Sequence, residues 1–238
     1  HQPADLPWIP GNRKKKSDRR AEKMCAALQG ITFPEVSLSN ITEDRLVLGT
    51  ATFGMDYGAT NQYGELSLSA VKSLLDRCRE KGITQLDTAQ AYGRAEEKLG
   101  MAGVTDFFIT TKISLQVDER PEAIYPKLQQ SLNRLRVNRV ANLLLHNEDR
   151  LAREDAGEIA EQLQLIVAKG WAGRVGISSY EPAEALKLCK VHGFKIVQLP
   201  ANALDHRLLQ EGLLNNFLSM GLEVQIRRML LHADLLNK

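Results

Sequence analysis

A TIM-type (β/α) barrel lacking its eighth strand-helix unit is the fold class that this 238-residue sequence predicts. Three observations lead to it. Apolar, strand-like runs alternate with amphipathic helical segments at intervals of roughly 25 to 35 residues, the sequence form of a parallel sheet with helical crossovers. Polar residues recur at the C-terminal ends of those runs, where a barrel gathers its functional groups, and no Gly-x-Gly-x-x-Gly or Walker phosphate loop argues for an open doubly wound sheet. A complete barrel typically takes about 250 residues. Fewer than 200 follow Leu46, which is read as leaving no length for an eighth unit.

The first strand is placed over residues 46–50, a compact apolar run that ends in the small residues Gly49 and Thr50. The helix over 69–81 carries Val71, Leu74, Leu75 and Cys78 on one face and stops at Gly82, where the left-handed conformation of a helix end favours glycine. A second strand follows over 84–87, with a helix starting in 94–100. The third strand, 107–112, leads into a helix over 121–135 whose Pro121 is tolerated in the first turn. The fourth strand, 141–146, ends in a histidine and is followed by a helix over 156–169. The fifth, sixth and seventh strands are read over 174–178, 195–199 and 222–227, with helices over 182–191 and 207–220 between them.

Composition divides the chain in two: a basic N-terminal extension, 1–40, partly helical or disordered, and the incomplete barrel, 41–238. Of the formal net charge of +2, residues 1–40 hold +3, from seven Lys or Arg against four Asp or Glu. Pro3, Pro7, Pro10 and Gly11 make the start irregular, and residues 17–28 suit a polar helix with Met24, Cys25, Ala27 and Leu28 as a thin apolar stripe. The cations of this arm read as a solvated face or as a contact for an acidic surface. With no aromatic residue from 9 to 32 there is no stacking platform, so nucleic acid is not an expected partner. No run approaches the roughly 20 apolar residues of a membrane span, and the N-terminus lacks the apolar core of a signal peptide. A cytoplasmic protein with no membrane partner is therefore expected. Cys25, Cys78 and Cys189 are odd in number and widely spaced, which suits reduced thiols rather than a disulfide framework or a zinc site, so no metal is expected.

The chemistry centres on residues 86–93, where Asp87 and Tyr92 lie five positions apart in a strand-to-helix loop. Lys112 closes the third strand and His146 the fourth, so in a barrel the four converge on one rim. Singly each has a bland reading, since a lone strand-end histidine is often structural and an Asp before a helix is often its N-cap. Together they form a set. Asp87 supplies the counter-charge that a buried Lys112 requires, and the ammonium beside Tyr92 is expected to lower the phenol pKa from about 10, making Tyr92 a proton donor near neutral pH.

These motifs resemble those of the aldo-keto reductases, which use an Asp, Tyr, Lys, His set on successive barrel strands. Asp87-Thr88-Ala89-x-x-Tyr92-Gly93, the strand end at Lys112 and that at His146 carry the resemblance, and residues 48–54 and 174–179 extend it to the opening and fifth strands. It implies hydride transfer between a nicotinamide cofactor, NADPH with NADH as the alternative, and the carbonyl carbon of a small aldehyde or ketone. Tyr92 would protonate the oxygen, Lys112 and Asp87 would tune it, and His146 would orient the carbonyl. The cofactor set it implies is Gly49, Thr50, Ser178, Ser179, Gln198 and Arg227, with Ser178 and Gln198 holding the nicotinamide carboxamide. Ser179 stands where many members have Asn, and Arg227 where an aromatic often stacks on the nicotinamide.

Loop 56–66, with Asp56, Tyr57, Asn61, Gln62 and Tyr63, is expected to border the substrate. The open edges of the first and seventh strands invite closure by a second copy or by the N-terminal segment. Two other functions fit the same residues: a catalytically weak or inactive reductase-like binding or regulatory module, and a barrel enzyme using Lys112 as a Schiff-base nucleophile.

Overall fold

The computed structural model describes residues 45–57, 64–202 and 204–229. Seven strands pair in chain order, every pair parallel: β1 (Val47–Gly49), β2 (Gln85–Asp87), β3 (Phe108–Ile113), β4 (Val140–Leu145), β5 (Ala172–Ser178), β6 (Ile196–Pro200) and β7 (Glu223–Arg227). Parallel neighbours need a crossover, and helices supply it. They are α1 (Ala51–Gly54), α2 (Leu68–Glu80), α3 (Ala95–Ala102), α4 (Ile124–Leu135), α5 (Ala156–Ala168), α6 (Pro182–His192) and α7 (Leu213–Ser219).

The helices form where the sequence offers one apolar face and a stop. In α2, Val71, Leu75 and Cys78 are buried at three- and four-residue spacing, and the Ser67 hydroxyl caps the first turn by accepting from the Ala70 N–H at 3.2 Å. In α4, Ile124, Leu128, Leu132 and Leu135 form the buried stripe. Gly193 ends α6 at φ 68°, the left-handed conformation a glycine adopts without strain. These stripes pack on the outward residues of the strands and make the main core, in which Leu75, Leu99, Leu143, Leu163 and Ile177 are fully enclosed. Strand β6 is buried along its whole length, as a parallel strand covered on both faces must be.

The sheet is curled. Neighbouring strands lie about 4.8 Å apart, so residues four strands away on a flat sheet would be roughly 19 Å apart. Yet Gln198 on β6 reaches Asp87 on β2 at 2.8 Å, and Gln225 on β7 reaches Thr110 on β3 at 3.2 Å. Those contacts cross the interior of a (β/α)7 barrel. Among the described residues β1 and β7 each pair on one side only.

The elements differ from expectation at their ends. The segments expected as helices over 121–135 and 207–220 each open with a 3-10 turn, Pro121–Ala123 and Arg207–Gly212, before α4 and α7 begin. The turn α1 and the 3-10 turn Glu148–Ala152 were not expected at all, because four or five residues are too few to show a helical period. The extension 1–40, with Cys25, and positions 58–63 of the substrate-bordering loop lie outside the described residues. Among the described residues no helix is long and apolar enough to cross a membrane, and no group of three or more His, Cys, Asp or Glu is placed to hold a metal.

Turn α1 packs flush against the loop that carries Tyr92. A Cβ on Gly54 would sit 2.0 Å from the Tyr92 carbonyl oxygen and 2.1 Å from the Ala95 nitrogen, all backbone. Gly54→Ala is therefore expected to destabilise the fold by about 1–3 kcal/mol, lowering the thermal midpoint by roughly 2–12 °C. A melting curve indistinguishable from wild type would contradict this packing.

Candidate active site

Strand ends β2 to β6 bring one set of polar groups together at the C-terminal rim. Lys112, 1% exposed, extends its Nζ from β3 to Asp87 Oδ1 at 2.6 Å, the Thr88 carbonyl at 3.0 Å and the Tyr92 hydroxyl at 3.4 Å. An ammonium has three N–H groups, and each has an acceptor. The Tyr92 oxygen receives one of them, which leaves the phenol's own proton free to donate elsewhere. Asp87 Oδ1 also accepts from Gln198 Nε2, whose Oε1 in turn accepts from the Ser178 hydroxyl at 3.2 Å. The backbone under Asp87 is fixed too: its carbonyl accepts from both the Thr50 N–H at 3.0 Å and the Thr50 hydroxyl at 2.9 Å.

His146 presents its ring edge-on to Tyr92, with centroids 6.1 Å apart. Burial, with the positive charges of Lys112 and Arg227 nearby, pushes its pKa down to about 4, so the imidazole is neutral at physiological pH. It can then accept or donate one hydrogen bond to a carbonyl compound without adding a charge.

The Tyr92 pKa corrects the sequence expectation. It is raised, not lowered: burial disfavours the phenolate, and the Asp87 carboxylate adds to that, while Arg227 opposes it only in part. Burial likewise pulls the Lys112 ammonium below its ordinary range, with Asp87 working the other way. In the resting site Tyr92 is thus firmly protonated, held as a hydrogen-bond and proton donor.

The residues expected to meet a cofactor are placed unevenly. Gln198 joins the Asp87 network directly and Ser178 joins it through Gln198. Gly49 is exposed at the end of β1, opposite Asp87 in register, and Thr50 has both its polar groups turned to the Asp87 carbonyl. Ser179 is buried, and its hydroxyl closes a local turn by accepting from the Glu181 N–H at 3.0 Å. Arg227 donates to the Ser179 carbonyl at 3.0 Å and lays its guanidinium 3.9 Å over the ring of Tyr180. Tyr180 was missed in the sequence, although an aromatic directly after a strand end that carries Ser178 and Ser179 is a readable pointer. A cavity of about 760 Å³ opens at the opposite ends of β3 to β5, beside Phe108, Arg139 and Arg174. The site is assigned to the rim instead, because the converging polar groups are there.

The model of the Aldo/keto reductase family matches residues 45–232. The chain belongs to that family. It is 30% identical over 161 residues to the aflatoxin B1 aldehyde reductase member 2 of Rattus norvegicus, covering 62% of this chain and 41% of that protein. It is 30% identical over 155 residues to an Arabidopsis thaliana protein named "Probable voltage-gated potassium channel subunit beta", covering 59% and 46%. The structure of a Bombyx mori aldo-keto reductase in complex with NADP matches with a TM-score of 0.60 at 23% identity, over 77% of this chain and 62% of that one, a likeness of fold. The chain spans less than half the length of these two curated relatives.

The neutral His146 has a measurable consequence. Between pH 6.5, where an exposed histidine titrates, and about 4, the unfolded chain binds a proton that folded His146 refuses. Stability therefore falls as pH drops through that window. Urea unfolding at pH 7, 5.5 and 4.5 is expected to show a shallower loss in His146→Gln than in wild type. Equal slopes would contradict a neutral, buried His146.

Proposed function

We propose that this chain carries the reducing centre of an NADPH-linked oxidoreductase that converts a small aldehyde or ketone to the alcohol, with Tyr92 as the proton donor. The observation that carries the reading is the Lys112 contact with the Tyr92 hydroxyl, since it leaves the phenolic proton available to donate.

The rim fits a nicotinamide group. A carboxamide needs both an acceptor and a donor, and Gln198 and Ser178 keep capacity for each after bonding one another: the second Gln198 N–H, a lone pair on its Oε1, and the Ser178 oxygen as acceptor. Arg227 Nε is buried with no protein partner among the described residues, an unengaged donor beside its stack on Tyr180. Ser178, Gln198 and Arg227 are therefore the residues that would hold the cofactor. Gly49, Thr50 and Ser179 stand at neighbouring strand ends, and the polar groups of Thr50 and Ser179 are already engaged within the protein. The Bombyx mori structure, alike in fold, is a complex with NADP, and NADPH is the cofactor proposed for this chain.

A nicotinamide cofactor supplies the hydride. The chain's own residues manage the proton. Tyr92 Oη gives its proton to the carbonyl oxygen as the carbonyl carbon is reduced, which leaves a phenolate. Lys112 Nζ, already in contact, stabilises that charge: a unit pair at about 4 Å is worth about 4 kcal/mol at an effective dielectric near 20. The resting pKa of Tyr92 keeps the proton in place until a substrate asks for it, and Lys112 makes its departure accessible. His146, neutral, orients the carbonyl by a hydrogen bond, so positioning adds to proton transfer.

A second reading is a regulatory subunit that binds cofactor with little turnover, and the Arabidopsis thaliana relative is named as a subunit of a channel. One experiment separates the two. Wild-type protein is mixed with NADPH and a panel of aldehydes, and carbonyl-dependent loss of NADPH absorbance is followed. The proposed function requires turnover that falls about 10²- to 10⁴-fold in Tyr92→Phe, with NADPH affinity retained in a fluorescence titration. Saturable NADPH binding with a flat trace across the panel would favour the regulatory reading.

A further inference from the structure

Behind the rim, the buried carboxylate of Glu96 joins the segment that carries Tyr92 to the strand that carries Lys112, and it is paired with Arg134 of α4. Glu96 lies four residues after Tyr92, in the first turn of α3, and is 1% exposed. Its Oε1 accepts from the Thr111 hydroxyl at 2.6 Å. Its Oε2 accepts from Arg134 of α4, from Nε at 2.8 Å and from the terminal nitrogen at 2.6 Å. Thr111, fully buried, immediately precedes Lys112 on β3. Side chains alternate along a strand, so Lys112 faces the barrel interior while Thr111 faces the helices.

The connection to Tyr92 is equally short. The Tyr92 carbonyl accepts from the Ala95 N–H at 3.0 Å, which fixes the loop to the start of α3. One turn beyond Glu96, a Cβ on Gly100 would stand 2.0 Å from the Arg134 carbonyl oxygen. That close approach seats α3 on the last turn of α4 and brings Glu96 within reach of Arg134. Two hydrogen bonds and one peptide link thus connect the Tyr92 backbone through Ala95 and Glu96 to Thr111, next to Lys112.

A carboxylate buried to this degree costs several kcal/mol unless paired, and apolar side chains would join α3 to β3 as firmly. What an apolar contact cannot do is fix a separation, because it is non-directional. We infer that Glu96 is a positioning residue for the proton donor. Acting through Thr111, it sets the distance between the Tyr92 loop and β3, and with it the contact of the Tyr92 hydroxyl with Lys112 at 3.4 Å. The consequence for kcat rests on the function proposed above, whereas the geometry does not.

The test removes one hydroxyl. Thr111→Val keeps the branched shape and the Glu96–Arg134 pair but breaks the bond to β3, and Thr111→Ser restores the hydroxyl. Where Thr111→Val does not fold, Thr111→Ala serves the same comparison. Two readouts are taken. In protein labelled with ¹³C at tyrosine Cζ, the Tyr92 resonance, assigned by its loss in Tyr92→Phe, is expected to shift in Thr111→Val and return in Thr111→Ser. With NADPH and a turned-over aldehyde, kcat is expected to fall about tenfold in Thr111→Val, with KM for NADPH unchanged, and to recover in Thr111→Ser. A Tyr92 resonance that stays at its wild-type position in the folded Thr111 variant overturns the inference. A shifted resonance in a protein whose wild type turns over no aldehyde supports the positioning role while the proposed function fails.

Discussion

The buried pair of Asp87 and Lys112 is the constraint on which the rest of the site depends. An ammonium that is 1% exposed is tolerated only if each of its protons has an acceptor and its charge has a partner. Asp87 gives the partner, and the Thr88 carbonyl and Tyr92 hydroxyl complete the acceptors. Meeting that demand places four groups from β2, β3 and the following loop within one hydrogen-bonding radius. The electrostatics of the proton donor follow: burial, with Asp87 adding to it, raises the Tyr92 pKa at rest, and Lys112 is in place for the phenolate that proton transfer creates.

Much of the surrounding scaffold reads as support for this pair. Thr50 holds the Asp87 backbone with two hydrogen bonds, and Gln198 reaches across the curled sheet to the carboxylate itself. Gly54 admits α1 against the Tyr92 carbonyl at a distance no other residue permits. On the outer side Glu96 and Thr111 tie the same two segments together. The rim is thus braced from the interior by polar groups on the strands and from the helical layer by a second ion pair.

The parallel order of strands and the four rim residues were legible in the sequence because both follow from local pattern. Apolar runs with polar ends give the strands, and Asp87, Lys112 and His146 each sit at such an end. Burial is a tertiary quantity and was not legible, which is why the Tyr92 pKa went the opposite way to the charge argument made for it. The stack of Arg227 on Tyr180 joins residues nearly fifty positions apart, and Glu96 in a first helical turn reads as an ordinary solvated charge until Arg134 arrives from α4. Ser179 is different: a Ser two residues before Glu181, with Pro182 opening α6, is a local turn that the sequence did contain.

The central claim is that Asp87 and Lys112 stabilise the fold as a coupled pair rather than as two independent side chains. A double-mutant cycle tests it most directly, using urea unfolding of wild type, Asp87→Asn, Lys112→Met and the double variant at pH 7. Each single variant is predicted to lose about 3–5 kcal/mol, because the remaining charge is left buried without its partner. The double variant is predicted to lose less than the sum of the two by at least about 1 kcal/mol. Losses that add to within about 0.5 kcal/mol would show that the two groups do not act as a pair, and would contradict the account.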